Sequence, residues 1–307
     1  MPVDEYFTKM IEGLEAATAP GGSEEEKGAL AHAFLQEYIG DALAWDASGV
    51  AIEDIAIDGP HGPIPLRLYR PEDGATGAIL WCHGGGFLHG DLDMHEAHVA
   101  SIEFARRAGV AVASVGYRLA DDTTKYPVPI DDVHAAWNWW CEQPLPEGVP
   151  IALGGASAGA ALALATALRT RDTGGRAADA LLLAYPFAHF PNPTLSVEMN
   201  AEMAAVPFRF TPESVEHMVR NYVGRISDVP ADALPGAARL DGLPPTRIVA
   251  SEYDDLRASA DLLERQLREV GVPVESYLAL GMTHGHLSHS PNLPEVGHSL
   301  DFLAKFL

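Results

Sequence analysis

Short apolar runs separated by amphipathic segments dominate the chain from residue 78 onward. The runs span 78–82, 110–115, 150–153, 180–184, 247–250 and 274–278. Strands that are apolar on both faces and spaced by helices predict a mostly parallel sheet covered on both sides. The clearest intervening helices are 130–141, 158–169, 256–270 and 294–306, where apolar residues recur at three- and four-residue spacing. Ahead of this rhythm, 50–57 and 64–69 alternate in polarity around Gly59-Pro60-His61-Gly62-Pro63. That pattern predicts two antiparallel strands joined by a turn, at an edge of the sheet. The first 45 residues read as two amphipathic helices, 6–17 and 24–38, divided by the breaker run Ala19-Pro20-Gly21-Gly22-Ser23. Between 187 and 223 the strand-helix rhythm stops in a stretch rich in Pro, Met and Phe that ends in a helix over 212–222. An insertion of that length can form part of a lid. The expectation is one α/β domain over 1–307, with cap elements at 1–45 and about 187–225.

Composition narrows the function classes. A 307-residue chain that is 47% apolar has ample material for a core. Its net charge is -23 and its only lysines are Lys9, Lys27, Lys125 and Lys305, so it has little with which to neutralise a phosphate backbone or an anionic membrane. Nucleic acid and membrane are therefore not expected partners. The acidity fits a coding bias better than salt adaptation and identifies no substrate. Cys82 and Cys141 are the only cysteines, which gives no disulfide framework and fits a reducing, cytoplasmic location. The N-terminal MPVDEYFTKMIEGLEAA lacks the basic flank and apolar core of a signal peptide, and no run of about 18 apolar residues occurs.

Two glycine-rich segments carry chemistry. Gly155-Ala156-Ser157-Ala158-Gly159 follows an apolar strand and opens a helix of small residues. The glycines permit a tight strand-to-helix turn that exposes the serine hydroxyl and directs the Ala158 N–H toward a developing oxyanion, as in a nucleophile elbow. The bare pattern is only moderately specific in a chain with 29 glycines, and its strand-turn-helix setting supplies the weight. His83-Gly84-Gly85-Gly86-Phe87 follows a second apolar strand. Consecutive glycines leave backbone N–H groups unobstructed, so Gly85 and Gly86 are the expected oxyanion donors, with His83 and Gly84 supporting the loop. The segment has neither a phosphate-loop lysine nor dinucleotide-binding spacing.

A serine needs a neighbouring imidazole as base, and the imidazole needs a carboxylate to fix its tautomer. Asp254, after the run 247–250, and His284, after 274–278, lie beyond strand ends where ligand crevices form in open α/β sheets. With these motifs in hand, the chain resembles the bacterial hormone-sensitive-lipase-like esterases of the α/β-hydrolase superfamily. The resemblance runs through HGGGF at 83–87, YRLA at 117–120, GASAG at 155–159, EYDDLR at 252–257 and HGH at 284–286. It implies the α/β-hydrolase fold with a helical cap, and hydrolysis of small short-acyl esters without a cofactor. It also implies Ser157, His284 and Asp254 as triad, and Gly85, Gly86 and Ala158 as oxyanion hole.

Four departures from the family pattern stand out: Ala156 replaces an aspartate, Asp255 a proline, His286 an aromatic residue, and 121–125 a proline-glutamate pair. Asp255 leaves two aspartates competing for the imidazole. His284, His286 and His289, or Asp91, Asp93, His95 and His98, lack an established zinc spacing, and no metal is expected. His95-Glu96-Ala97-His98 reads as the start of a helix. Met199, Met203, Phe208 and Phe210 fit either a substrate tunnel or lid packing. The rival functions are an amidase or formamidase with the same triad and a ligand-binding protein on a hydrolase scaffold. A small-molecule ester is the expected partner, and a homodimer is left open.

Overall fold

The structure, a computed structural model, describes residues 3–18, 23–146, 148–206 and 209–306, so breaker residues 19–22 and Phe208 lie outside the described residues. Eight strands form one sheet: β1 (Val50–Ile57), β2 (Ile64–Pro71), β3 (Gly77–Cys82), β4 (Val110–Val115), β5 (Ile151–Ala156), β6 (Ala180–Ala184), β7 (Thr246–Tyr253) and β8 (Val274–Thr283). Their order is β1-β2-β4-β3-β5-β6-β7-β8. The pair β1–β2 is antiparallel, with Val50 opposite Pro71 and Ile57 opposite Ile64, and β1 is an edge strand as its alternation predicted. Pairing is parallel from β4 through β3 to β8.

Alternation along the buried strands divides the core into two layers. In β3, Ala78, Leu80 and Cys82 face one cluster while Ile79 and Trp81 face the other; in β6, Leu181 and Leu183 oppose Leu182 and Ala184. Helices α4 (Val128–Cys141), α5 (Ala158–Thr173) and α8 (Arg257–Glu269) cover the first face. Helices α1 (Glu5–Thr18), α3 (His98–Ala108) and α9 (Pro294–Ala304) cover the second. Burial on both faces is what continuous apolar strands require. The expected α/β-hydrolase architecture is present.

Among the described residues the remaining α-helices are α2 (Glu24–Ile39), α6 (Val197–Glu202) and α7 (Pro212–Val223). A capping box starts α2: Ser23 Oγ accepts from the Glu26 N–H, and Glu26 accepts from the Ser23 N–H. Helix α1 buries Phe7 and Met10 in the second core layer, and Tyr38 of α2 donates to the Tyr6 carbonyl oxygen. Val3 and Leu195 pack against Met203, Val206 and Tyr253, so the N-terminal segment and the insertion share one small apolar cluster. The insertion thus contains a short helix, α6, that its irregular composition did not announce.

Candidate active site

Every sequence-predicted site residue lies at the carboxyl end of the sheet. Strand β3 runs into the glycine loop, β5 into Ser157, β7 into Asp254 and β8 into His284. Ser157 adopts φ 52° and ψ -116°, a conformation that L side chains rarely take. Its N–H donates to the Ala184 carbonyl oxygen, and its own carbonyl accepts from Ala160 and Ala161 at the start of α5. A Cβ at Gly155 or Gly159 would overlap backbone atoms of the elbow or of β3. Those glycines let α5 descend directly onto the sheet and hold the strained serine in place.

Asp254 and His284 meet because of an irregular register. Ser251 pairs with Ala279 but Tyr253 pairs with Thr283, so β8 carries two extra residues across this interval. The Gly281 N–H within that bulge donates to Glu252 Oε2 at 2.7 Å. The next residues along the two strands, Asp254 and His284, therefore leave the sheet side by side. His284 Nδ1–H donates to Asp254 Oδ2 at 2.7 Å, and the Ser157 hydroxyl donates to His284 Nε2 at 2.8 Å. Asp254 Oδ1 accepts from the Leu256 N–H at 2.8 Å, which fixes the carboxylate at both oxygens. Asp254 is 2% exposed and Ser157 7%. Of the two competing aspartates, Asp254 faces the imidazole, whereas Asp255 turns to Arg209.

The glycine loop is held from beneath. The Gly84 N–H donates to Glu96 Oε1 at 2.7 Å. Its carbonyl accepts from His83 Nδ1–H at 2.7 Å and from the Tyr117 hydroxyl at 3.2 Å. Because a trans peptide points its C=O and N–H in opposite directions, fixing the Gly84 carbonyl aims the Gly85 N–H away from His83 and Tyr117. Among the described residues, the N–H groups of Gly85, Gly86 and Ala158 have no protein acceptor. Gly85 takes φ 108°, and a side chain there would collide with the His89 carbonyl. His83 is buried, stacks on Tyr117 at 4.4 Å, and its pKa is pushed down by desolvation, so it serves as a neutral donor to the loop.

The segment 95–98 leads into α3 as read, and Glu96 has a role beyond the helix start. Helix α3 begins only at His98, and the preceding turn sends the Glu96 carboxyl inward, to 3% exposure. There Oε1 holds Gly84, Oε2 accepts from the Tyr185 hydroxyl at 2.8 Å, and the Glu96 carbonyl accepts from Trp81 Nε1 at 2.7 Å. Burial raises the Glu96 pKa, with Tyr185 and the Gly84 N–H opposing that rise. The Tyr185 ring lies 5.0 Å from that of His284 and 5.2 Å from that of His286. Sequence reasoning passed over both residues; the one available signal was Tyr185-Pro186 directly after a buried strand.

The other histidines take separate partners. His286 sits between Ser251 Oγ and Ser299 Oγ, both at 2.9 Å, and burial pushes its pKa down to about 3. His289 meets the Tyr6 hydroxyl at 3.1 Å, and burial lowers its pKa to about 4. His98 meets the Tyr69 hydroxyl, and Asp93 pairs with Arg67. Among the described residues no group of three or more His, Cys, Asp or Glu side chains is placed to hold a metal ion. Ala156 is fully buried, and Asp121 closes the segment 121–125 by accepting from the Thr123 and Thr124 N–H groups. No described helix is long and apolar enough to cross a membrane.

Comparison with known proteins places this geometry. Residues 79–288 match a family described by the α/β-hydrolase fold. Esterase LipI of Mycobacterium tuberculosis is 35% identical over 253 residues, covering 79% of this chain and 77% of that one. An ethyl acetate hydrolase from Pseudomonas putida is 29% identical over 272 residues, with 83% and 82% covered. The hyperthermophilic esterase from the archaeon Pyrobaculum calidifontis superposes with a TM-score of 0.81 at 28% identity, over 99% of this chain and 97% of that one. With its five ordered motifs, its fold and these relatives, the chain belongs to the hormone-sensitive-lipase-like esterase family of the α/β hydrolases.

Proposed function

We propose that this carboxylesterase cleaves small, short-acyl esters by two-step acyl transfer, with Ser157 as nucleophile, His284 as general base and then acid, and Asp254 as the carboxylate that orients His284. The observation that carries the reading is the continuous chain from Asp254 Oδ2 through His284 to Ser157 Oγ, with links of 2.7 and 2.8 Å. A carboxylate on Nδ1 leaves the Nε2 lone pair directed at the serine proton, which is the tautomer a general base requires. Ser157 attacks the ester carbonyl, the alcohol leaves with the proton carried by His284, and water then releases the acid by the reverse sequence. The N–H groups of Gly85, Gly86 and Ala158 receive the tetrahedral oxyanion, each contributing about 3 kcal/mol to the transition state. That the Pseudomonas putida relative is an ethyl acetate hydrolase supports a small ester as substrate.

Two cavities are lined by parts of the cap elements, and the first shares Phe210 with the surroundings of His284, whose ring lies 4.6 Å from that of Phe210. One, of about 520 Å³, is lined by insertion residues including Leu195, Phe210 and Val215. The other, of about 630 Å³, lies between Leu35 and Ile39 of α2 and Met94, His95 and Ser288 near the glycine loop. Residues 1–45 and 187–225 act as the cap over these cavities. The test combines stoichiometric labelling by an organophosphate with turnover of p-nitrophenyl esters and matching anilides. Ser157→Ala is expected to lose labelling and to reduce kcat/KM on the order of 10⁴-fold or more while keeping its circular dichroism spectrum. A folded Ser157→Ala variant with parental turnover rules out the nucleophile, and faster anilide than ester cleavage moves the reading to an amidase.

A further inference from the structure

Asp255 stands directly after the residue that orients His284, yet its side chain looks the other way. Its carboxylate, 10% exposed, accepts from Arg209 Nη2 at 2.7 Å, from Arg209 Nε at 2.9 Å and from the Phe210 backbone N–H at 2.8 Å. Arg209 also donates to the Met203 carbonyl at 3.2 Å and to Asn200 Oδ1 at 2.9 Å. Asn192 Nδ2 donates to the Asp255 carbonyl at 2.9 Å. Two separate points of the insertion, Asn192 and the adjacent pair Arg209-Phe210, thus converge on one residue of the β7–α8 turn. The product of this convergence is the placement of Phe210, whose ring meets the His284 imidazole edge-on at 4.6 Å and 74°. Phe210 also lines the 520 Å³ cavity, together with Leu195, Val215, Arg209 and Asp255.

We infer that Asp255 and Arg209 are specificity-determining positioning residues, whose bidentate ion pair fixes Phe210 as the wall between His284 and this cavity and so limits the size of the ester arm that can be accommodated there. The inference rests on the triad reading proposed above. A forked guanidinium on a largely buried carboxylate sets direction as well as distance, and a lysine or a neutral amide does not reproduce it. Neither residue touches the reacting atoms. Their effect reaches the reaction only through where Phe210 sits.

Arg209→Met, Asp255→Asn and, with the ion pair intact, Phe210→Ala test this against two substrate series: p-nitrophenyl esters of increasing acyl length, and acetates of increasing alcohol size. In at least one series, the kcat/KM preference for the shortest over the longest member is expected to fall about fivefold to tenfold in all three variants, the range a few misplaced apolar contacts command. Organophosphate labelling is expected to remain stoichiometric in Arg209→Met and Asp255→Asn. A purely structural ion pair lowers the melting temperature and leaves both preference ratios unchanged; that result, in labelled and active variants, overturns the inference. Phe210→Ala keeps the wall testable should either charge variant fail to fold. A parent protein that is neither labelled nor active overturns the triad reading itself, and the positioning role with it.

Discussion

At the carboxyl end of the sheet, Ser157, Asp254 and Glu96 are each under a tenth exposed and each held by at least two hydrogen bonds. Helix α2, by contrast, buries none of its described side chains and leaves Leu30 45% exposed. Between these extremes lies α1, whose Phe7 is fully buried against His289, while α2 rests on α1 through Phe34 and Tyr38. On the proposed reading, the chemistry is carried by backbone turns locked into the core, and the surroundings of the substrate by side chains docked on top. Rate and selectivity should therefore respond to different substitutions.

The largest expected effect divides the two aspartates. Asp254→Asn should lower kcat on the order of 10³- to 10⁴-fold, since an amide neither stabilises imidazolium nor enforces the productive tautomer. Asp255→Asn should spare most of the rate on the shortest ester, and steady-state kinetics of the two variants checks the ranking. Equal losses in both would erase the boundary between the chemical and docked regions.

Next comes Glu96, which belongs to the locked region without being part of the triad. Glu96→Ala frees the Gly84 N–H and the Tyr185 hydroxyl, and is expected to lower kcat about 10- to 100-fold with a smaller change in KM. Glu96→Gln, which keeps an acceptor for Gly84, should restore a large part of that loss. A Glu96→Ala variant with parental kcat would show that the loop holds its shape without the carboxyl.

A smaller effect is expected on the docked side. Leu35→Ala/Ile39→Ala trims α2 where it lines the second cavity and should shift chain-length preference about threefold, with little change in melting temperature. Removing residues 1–45 entirely also takes Phe7 and Met10 out of the core, so that larger deletion should depress the melting temperature as well as selectivity. An unchanged substrate profile in a folded truncated protein would end the assignment of a cap role to the N-terminal helices.

The smallest effect is on pH dependence of stability. His286 and His289 have folded-state pKa values pushed by burial to about 3 and about 4, below the ordinary 6.5. The unfolded chain therefore binds protons that the folded one refuses as pH falls below about 6.5, and each group withdraws up to about 1.4 kcal/mol per pH unit until its folded pKa is reached. The melting temperature should fall between pH 7 and pH 5. His289→Gln should be less stable at pH 7 but should show a shallower fall, read by calorimetry at both values. A slope as steep as the parent's would remove His289 from the account.

Strands, their parallel arrangement and the order of glycine loop, elbow, acid and histidine were legible in the sequence because each depends on local pattern: apolar runs buried on two faces, and glycines where chains crowd. HGGGF and GASAG announced backbone geometry through glycines at positions such as Gly85, Gly155 and Gly159, where a side chain would collide with backbone. What the pattern did not carry was the long-range register. The two extra residues in β8 that bring Asp254 beside His284 lie in Leu280-Gly281-Met282, past the apolar run that marked the strand, and only pairing with β7 reveals them. Glu96 read only as part of a helix start because a carboxylate in the sequence bears no mark of the Gly84 N–H and Tyr185 hydroxyl that will receive it. Asp255 likewise competed with Asp254 until Arg209, 46 residues earlier, claimed its carboxylate. Local periodicity and backbone sterics are written residue by residue, so the chain alone determined the sheet and its turns. Which buried polar group meets which depends on segments distant in sequence closing on one another, and that the tertiary structure decided.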